Sequence, residues 1–453
     1  MYIVLSVIFC LVSFFLFKKA AGSMKMNELN MISFVFYFHL VLQIYIGSVI
    51  VLYGVETNSV VSAIKHSETK YVVWLYISYM MIAMPLGMIL VNVLSNSQPK
   101  RLFRRYLSSG VVLDDRLTDS VTLMGLYFLM LLSVISTLII FFKINQFPLI
   151  QLFSARDQYE LLYVRTSIEY GIGWGVYFKN LFGIYLSPIL TYILFSYWKK
   201  TKSNMHFIFF SLMFLNTFLL LTMDLKKSPF IWFLIGFLFL NILTNGAVRK
   251  RTIVLISAFF FVVLLVVFIV ITKNMSLDFL LSYNSGLTGR IILSQVSGLY
   301  HFFEVYPDSQ QHLGVSSLSN LVSYMFNIEF NSRAAREVMV LSFPERVEEG
   351  VAGVMNSNFI GEAWANFGYI GVLASPLYIG ILIQVMYLFF MRSKKSPVML
   401  GLFSFFTVKS SLNGGFNDYI YNPYLMLTIF IFLSLVLFSN SYKKNYVVEM
   451  KYD

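Results

Sequence analysis

The sequence predicts an all-α, polytopic membrane protein with about eleven transmembrane helices and one long external loop. Three observations carry this. The chain of 453 residues is 58% hydrophobic and only 12% charged. Its mean hydropathy is +0.73. Its apolar residues lie in runs of roughly 17 to 25, the length that crosses a bilayer, and do not recur at the period of a half-buried helix or strand. Inside lipid only helices and closed barrels satisfy their own backbone, and unbroken apolar runs exclude the alternation of a barrel.

The first span, Tyr2 to Phe17, has no basic residue ahead of it and stops at Lys18 and Lys19, before the small residues Ala20, Ala21 and Gly22. It reads as an uncleaved span and not as a signal peptide. Met31 to Tyr53 and Tyr71 to Leu94 follow, the second of these stopped by Lys100, Arg101, Arg104 and Arg105. Ser120 to Phe142 is the fourth span. Gly171 to Trp198 is the fifth, closed by Lys199, Lys200 and Lys202, and Met205 to Met223 and Ser228 to Leu243 are joined by a very short turn. Thr252 to Ile271 starts after Arg249, Lys250 and Arg251. The last three spans are Gly368 to Met391, Val398 to Ser411 and Tyr424 to Asn440. The expected organisation is therefore eight helices over 1–272, with an external amphipathic segment at 144–170, then a loop over 273–356, then helices nine to eleven and a cytoplasmic tail over 357–453. A polar stretch of 84 residues, Lys273 to Asn356, far exceeds the roughly 12 to 15 that ordinary connections use, and loops of that length are usually functional.

Basic residues set the orientation. Clusters at Lys18, Lys19 and Lys25, at Lys100 to Arg116, at Lys199 to Lys202, at Arg249 to Arg251, at Arg392 to Lys395 and at Lys443 to Lys451 hold 20 of the 34 Lys and Arg, and the segments that contain them, out to Glu28, Asp119 and Asp453, carry only 6 of the 22 acidic residues. By the positive-inside rule these segments are cytoplasmic, which puts the N-terminus outside and the C-terminus inside. The formal charge of +12 is then a topology signal, and nucleic acid is not an expected partner. Membrane lipids are.

Several chemistries have no motif here. The sequence holds no GxxxxGK[ST], no GxGxxG and no HExxH, and the cytoplasmic loops are too short for a nucleotide-binding domain. Asp114 and Asp115 are adjacent but form no DxD, so a solvated turn explains them. The single cysteine, Cys10, offers neither a disulfide nor a thiolate site. No cofactor and no metal are expected. An enzyme of this kind needs a substrate that arrives already activated, and a transporter needs a gradient.

Four groups on the expected outer face bear chemistry. The segment FPLIQLFSARDQYELLYVRTSIEYGIGWG holds Arg156 and Arg165 above Leu149, Leu152 and Phe153, which suits an amphipathic helix on the bilayer, whether or not its arginines hold more than lipid phosphate. The turn MDLKKSP places Asp224, Lys226 and Lys227 where lysine runs against the positive-inside trend; pairing, snorkelling or an anionic ligand each accounts for it. In the long loop, Arg290 offers a planar fork for phosphate. His301 is suited to proton transfer, although a histidine beside Tyr300, Phe302 and Phe303 also fits plain packing. The fourth group, NSNFIGEAWANFGYIG, puts Asn358, Glu362 and Asn366 four apart, one polar stripe on a helix entering the ninth span. An ionisable residue at membrane depth is functional by default, against the alternative of a polar clamp between helices. Lys409 and Asp418 lie in the segments that follow.

These four segments together resemble the oligosaccharide repeat-unit polymerases of bacterial surface polysaccharide assembly, the Wzy family of O-antigen and capsule polymerases. The GEAWANFGYIG run, FPLIQLFSAR with its following arginine and glycines, the basic turn after the sixth span and GRIILSQVSGLYHFFEVYP carry the resemblance. It covers the plan of the whole chain and about a fifth of its residues. It implies a metal-independent glycosyltransferase of the GT-C-like kind in the bacterial cytoplasmic membrane, acting on its outer side on undecaprenyl-diphosphate-linked oligosaccharides, with a chain-length regulator protein as a partner. Some members carry an arginine followed by ten residues and a glycine in two outer loops; here Val176 and Ser357 stand where those glycines would follow Arg165 and Arg346.

In that reaction the growing chain on its lipid diphosphate is the donor and a sugar hydroxyl of one new repeat unit is the acceptor. Arg156, Arg165, Lys227 and Arg290 would bind the diphosphate, Asn358 and Asn366 would contact substrate, and Glu362 or His301 would accept the proton. A surface-polymer ligase shares the plan and the donor. A lipid-linked glycan flippase is the non-enzymatic alternative, although internal repeats and midplane charges, the usual marks of a transporter, are missing from the sequence.

Overall fold

The structure is a computed structural model that describes the chain except residues 145–159, 161–163, 165–167, 169–170, 225–226, 250, 253, 256–257, 259–260, 263–264, 267–268, 270–275, 285, 331, 350–352 and 450–453. It is all-α, and the protein is a polytopic membrane protein: among the described residues nine helices are long and apolar enough to cross a membrane. The main helices are α1 (Tyr2–Ala21), α2 (Met31–Tyr53), α3 (Ser67–Leu94), α4 (Pro99–Ser108), α5 (Arg116–Lys143), α6 (Gly175–Thr201), α7 (Asn204–Thr222), α8 (Lys227–Asn245), α9 (Leu299–Val305), α10 (Ala334–Ser342), α11 (Phe359–Arg392), α12 (Pro397–Lys409) and α13 (Pro423–Glu449). Of the eleven expected spans, nine coincide with these long helices. The eighth, Thr252 to Ile271, falls largely outside the described residues, and the tenth is the shorter apolar helix α12.

The chain groups into two compact units, and neither is continuous in sequence. The first comprises Met1–Phe103, Asn274–Met391 and Ser410–Asn422. In it α1 packs on α3, because small and hydroxylated residues let the helices approach and bond. Ser13 Oγ donates to the Met81 carbonyl at 2.7 Å, and Trp74 Nε1 to Ser6 Oγ at 3.1 Å. Helices α3 and α11 meet backbone to backbone: a Cβ at Gly87 would strike the Leu377 carbonyl, and one at Gly380 the Met84 carbonyl. Lipid supplies no hydrophobic drive between helices, so close packing of this kind and interhelical hydrogen bonds hold them. Gln384, fully buried on α11, donates to Asn92 Oδ1 of α3 at 2.6 Å, and Asn92 donates in turn to the Ala20 carbonyl ending α1.

The second unit comprises Arg104–Lys273, Arg392–Lys409 and Pro423–Asp453. Its interior follows the same rule. Asn216 of α7 donates to Ser133 Oγ of α5 at 2.9 Å and accepts from Thr137 Oγ1 at 2.7 Å, while Ser133 bonds Ser187 of α6. Thr191 and Thr217 join α6 to α7 at 2.8 Å. These groups saturate one another, which is the behaviour of interhelical glue. Lys179 is buried at the start of α6 and paired with Asp224, at 2.9 and 3.1 Å.

Candidate functional site

The polar stripe expected on one helix is divided in the structure. Helix α11 begins at Phe359 and breaks at Gly368, whose φ of 56° and ψ of −138° are not helical. This leaves a short, polar leading segment, Phe359 to Phe367, ahead of the long apolar one. Glu362 and Asn366 share its buried side, each 1% exposed. Asn358 precedes the helix, so it does not extend the stripe: it forms an isolated antiparallel bridge with Asn413, and its Oδ1 accepts from the Ile360 N–H at 3.2 Å. Its side-chain amide reaches the Met80 sulfur. The period of four was right for Glu362 and Asn366, and wrong for Asn358 because the chain is still extended there.

The break is satisfied from the long loop. The carbonyls of Ala365 and Asn366, left without helical partners, accept from the N–H groups of Leu313 and Gly314 at 3.0 and 2.8 Å, which meets the demand of a helix end. His312 lies against Gly368, where a Cβ would come within 2.9 Å of its Nε2. A side chain at this position meets both that contact and a backbone conformation that only glycine adopts readily. Gly368→Ala is accordingly expected to destabilise the folded protein by about 1–3 kcal/mol, measured by denaturation in detergent.

Both carboxylate oxygens of Glu362 are engaged. Arg333 presents Nε to Oε1 and Nη2 to Oε2, each at 3.1 Å, a bidentate fork. The Asn417 N–H donates to Oε2 at 2.8 Å. The Asn417 side chain then accepts from Asn366 Nδ2 at 2.8 Å and donates to the Ser317 carbonyl at 2.9 Å, while Ser317 Oγ donates to Asn366 Oδ1 at 2.7 Å. The turn Asn413–Gly414–Gly415 lies over the pair. A Cβ on Gly415 would collide with both the Glu362 carboxylate and the Arg333 guanidinium, so only glycine lets the backbone pass so close. The outer edge of Arg333 is different. Its Nη1 donates to Asp418 Oδ1 at 3.1 Å, and the two side chains are 41% and 47% exposed against 1% for Glu362. Burial alone would lower the Arg333 pKa, but the carboxylates of Glu362 and Asp418 raise it above its ordinary value, so the guanidinium is permanently charged. One arginine is therefore held on its inner side by a buried carboxylate and on its outer side by a solvated one.

An aromatic wall continues from the same short helix. Trp364 stacks on Phe303 of α9 with centroids 4.8 Å apart, and its Nε1 donates to the Tyr306 carbonyl at 2.9 Å. Phe303 stacks in turn on Tyr76 of α3, and the exposed Tyr369 meets Trp364 edge-on.

The remaining expected residues are distributed as follows. Arg156 and Arg165 lie outside the described residues, as do most of the segment 144–170 and Lys226. Lys227 opens α8, and only its backbone is described. Arg290 is exposed on the short helix Leu287–Ile292; the hydrogen-bond partners of Glu362 are Arg333 and Asn417. His301 is 2% exposed, and its Nε2 donates to the Val60 carbonyl at 2.8 Å. Burial pushes its pKa below the ordinary histidine value, which keeps the ring neutral and its Nε2 proton committed to that carbonyl. Together with Glu304, which accepts from the N–H groups of Lys65 and His66 at 2.7 and 2.8 Å, it ties the α2–α3 connection to α9. Lys409 stands over the Tyr185 ring at 4.8 Å. Arg333 and Asn417 are the two site residues that the sequence pattern did not single out as partners of Glu362. The signal for Asn417 was its place beside Asp418 after a Gly-Gly pair.

No group of three or more His, Cys, Asp or Glu side chains capable of holding a metal ion occurs among the described residues. No protein-family model matches the chain, and comparison with curated proteins and with solved structures likewise returns no match.

Proposed function

We propose that the protein is a glycosyltransferase that polymerises undecaprenyl-diphosphate-linked oligosaccharide repeat units on the outer side of the bacterial cytoplasmic membrane. The observation that carries this reading is Arg333, a fork anchored by a buried carboxylate at the end of a membrane helix and closed on its open edge by a displaceable one. A diphosphate leaving group develops negative charge as the glycosidic bond to it breaks, and a preorganised guanidinium stabilises that charge. Glu362 is then the anchor that aims the fork, in place of the general base suggested by the stripe, because both of its oxygens are already engaged by Arg333 and Asn417 and the side chain is buried away from an acceptor hydroxyl.

Asp418 takes the proton. When a diphosphate oxygen occupies Nη1, Asp418 Oδ1 is released from its contact with Arg333 and becomes available to accept from the acceptor hydroxyl. The acceptor oxygen forms the new bond to the anomeric carbon, the bond from that carbon to the diphosphate breaks, and the electron pair leaves with the lipid diphosphate. The aromatic wall beside Trp364 supplies faces on which sugars stack, with Tyr369 the exposed member.

Deleting the gene and examining the glycan tests the assignment. Single repeat units accumulating on the outer-leaflet carrier are the expected result. Full-length chains retained on carrier lipid would make the protein a ligase, and accumulation on the inner leaflet would make it a flippase; either outcome overturns the proposal.

A further inference from the structure

We infer that helix α4 is a docking site for anionic phospholipid headgroups. The helix reads PKRLFRRYLS and connects two membrane-spanning helices, α3 ending at Leu94 and α5 starting at Arg116. Short links at both ends confine it to a membrane surface. Its residues divide cleanly by burial: Pro99, Phe103 and Tyr106 are buried, while Lys100, Arg101, Arg104 and Arg105 are exposed. The buried set recurs at four and three residues, one side of the helix; the half-buried Leu102 and Leu107 flank it, and the four cations share the exposed side with Ser108, with no acidic residue among the ten.

Within the first unit the N-terminal end of α4 also rests on the end of α1. Gly22, at φ 79°, caps α1 in the left-handed region, and a Cβ there would collide with the Lys100 backbone. The exposed Lys18 and Lys19 in the last turn of α1 therefore belong to the same end of that unit as Lys100, and the positive field there is larger than α4 alone provides.

A solvated charged face explains single exposed cations. It does not explain a helix whose apolar side is already consumed by the protein and whose remaining surface is cationic, placed where lipid phosphates lie. An amphipathic surface helix that is basic on its polar face binds anionic headgroups through this complementarity. The occupant is a lipid headgroup and not a free phosphate, because the helix is fixed at the bilayer surface by its two flanking spans.

The test is native mass spectrometry of the full-length protein in detergent, titrated with phosphatidylglycerol and, separately, with phosphatidylcholine. The wild type should retain phosphatidylglycerol selectively. Replacing Lys100, Arg101, Arg104 and Arg105 by Gln should weaken phosphatidylglycerol retention more than about ten-fold, since each cation near an anionic surface contributes to binding, and leave phosphatidylcholine unchanged. Neutralising Lys199, Lys200 and Lys202, a second basic cluster at the end of a spanning helix and not on a surface helix, should weaken it less than the α4 substitutions do. Unchanged retention in the α4 variant, or an equal loss in the other cluster's variant, overturns the inference. Should the α4 variant fail to fold, salt titration of the wild type decides: selective retention should fall steeply as ionic strength rises and the Debye length shrinks, and insensitivity to salt refutes headgroup docking.

Discussion

Replacing Arg333 by methionine should destabilise the protein toward the lower end of roughly 3–5 kcal/mol, the range for breaking a buried pair by removing one partner. The reason lies in the asymmetry of exposure. Glu362 is 1% exposed and loses its bidentate partner, while Arg333 itself is 41% exposed, so solvent already screens its outer edge and trims the loss. Asn417 still donates to Oε2, but one N–H does not replace a guanidinium. The double variant Arg333→Met with Glu362→Leu should recover much of the deficit, because removing both charges removes the desolvation cost with the attraction. Chemical denaturation in detergent of the two single variants and the double variant closes the cycle. Additive losses would show that the pair is not coupled, contrary to the geometry.

The fold was legible to the extent that lipid imposes it. Long apolar runs specify helices wherever they occur, and nine of the eleven expected spans are found at their expected places because the constraint is local and strong. The long loop was legible only as polar. What organises it is a set of contacts between residues far apart: Arg333 reaches Glu362 across 29 positions and Asp418 across 85, and no period or spacing encodes such a pairing. Arg290 carries the same chemistry as Arg333 in the same loop, and composition does not tell them apart. Glu362 and Asn366 could be read because helical spacing placed them on one side. Asn358 was misread because the helix starts one residue later, at Phe359, and its side chain serves that start. His301 had two readings, and its buried ring, edge-on to Phe343 at 5.1 Å, follows from the aromatic neighbours that the sequence displayed.

Glu362→Gln should reduce polymerisation by about 10²–10³-fold while leaving the protein inserted and folded, because losing the alignment of a charge-stabilising group costs that much. Glutamine keeps the volume but offers one acceptor where two are used. Its amide nitrogen must replace Oε1, facing Arg333 Nε–H, or Oε2, facing both Arg333 Nη2–H and the Asn417 N–H, donor against donor, so in either orientation the fork loses one of its two bonds. An anchor and a base differ in what the loss does to pH dependence. If Glu362 only aims Arg333, the variant keeps the shape of the wild-type pH–rate profile at a lower plateau, and Asp418→Asn is the substitution that changes that shape. If Glu362 accepts the proton, its acid limb disappears in Glu362→Gln and survives in Asp418→Asn. Single-turnover assays of both variants with a purified lipid-linked repeat unit, run across the acid range, separate the two roles. Normal chain length in Glu362→Gln would leave the pair a clamp between the loop and α11, with no part in catalysis.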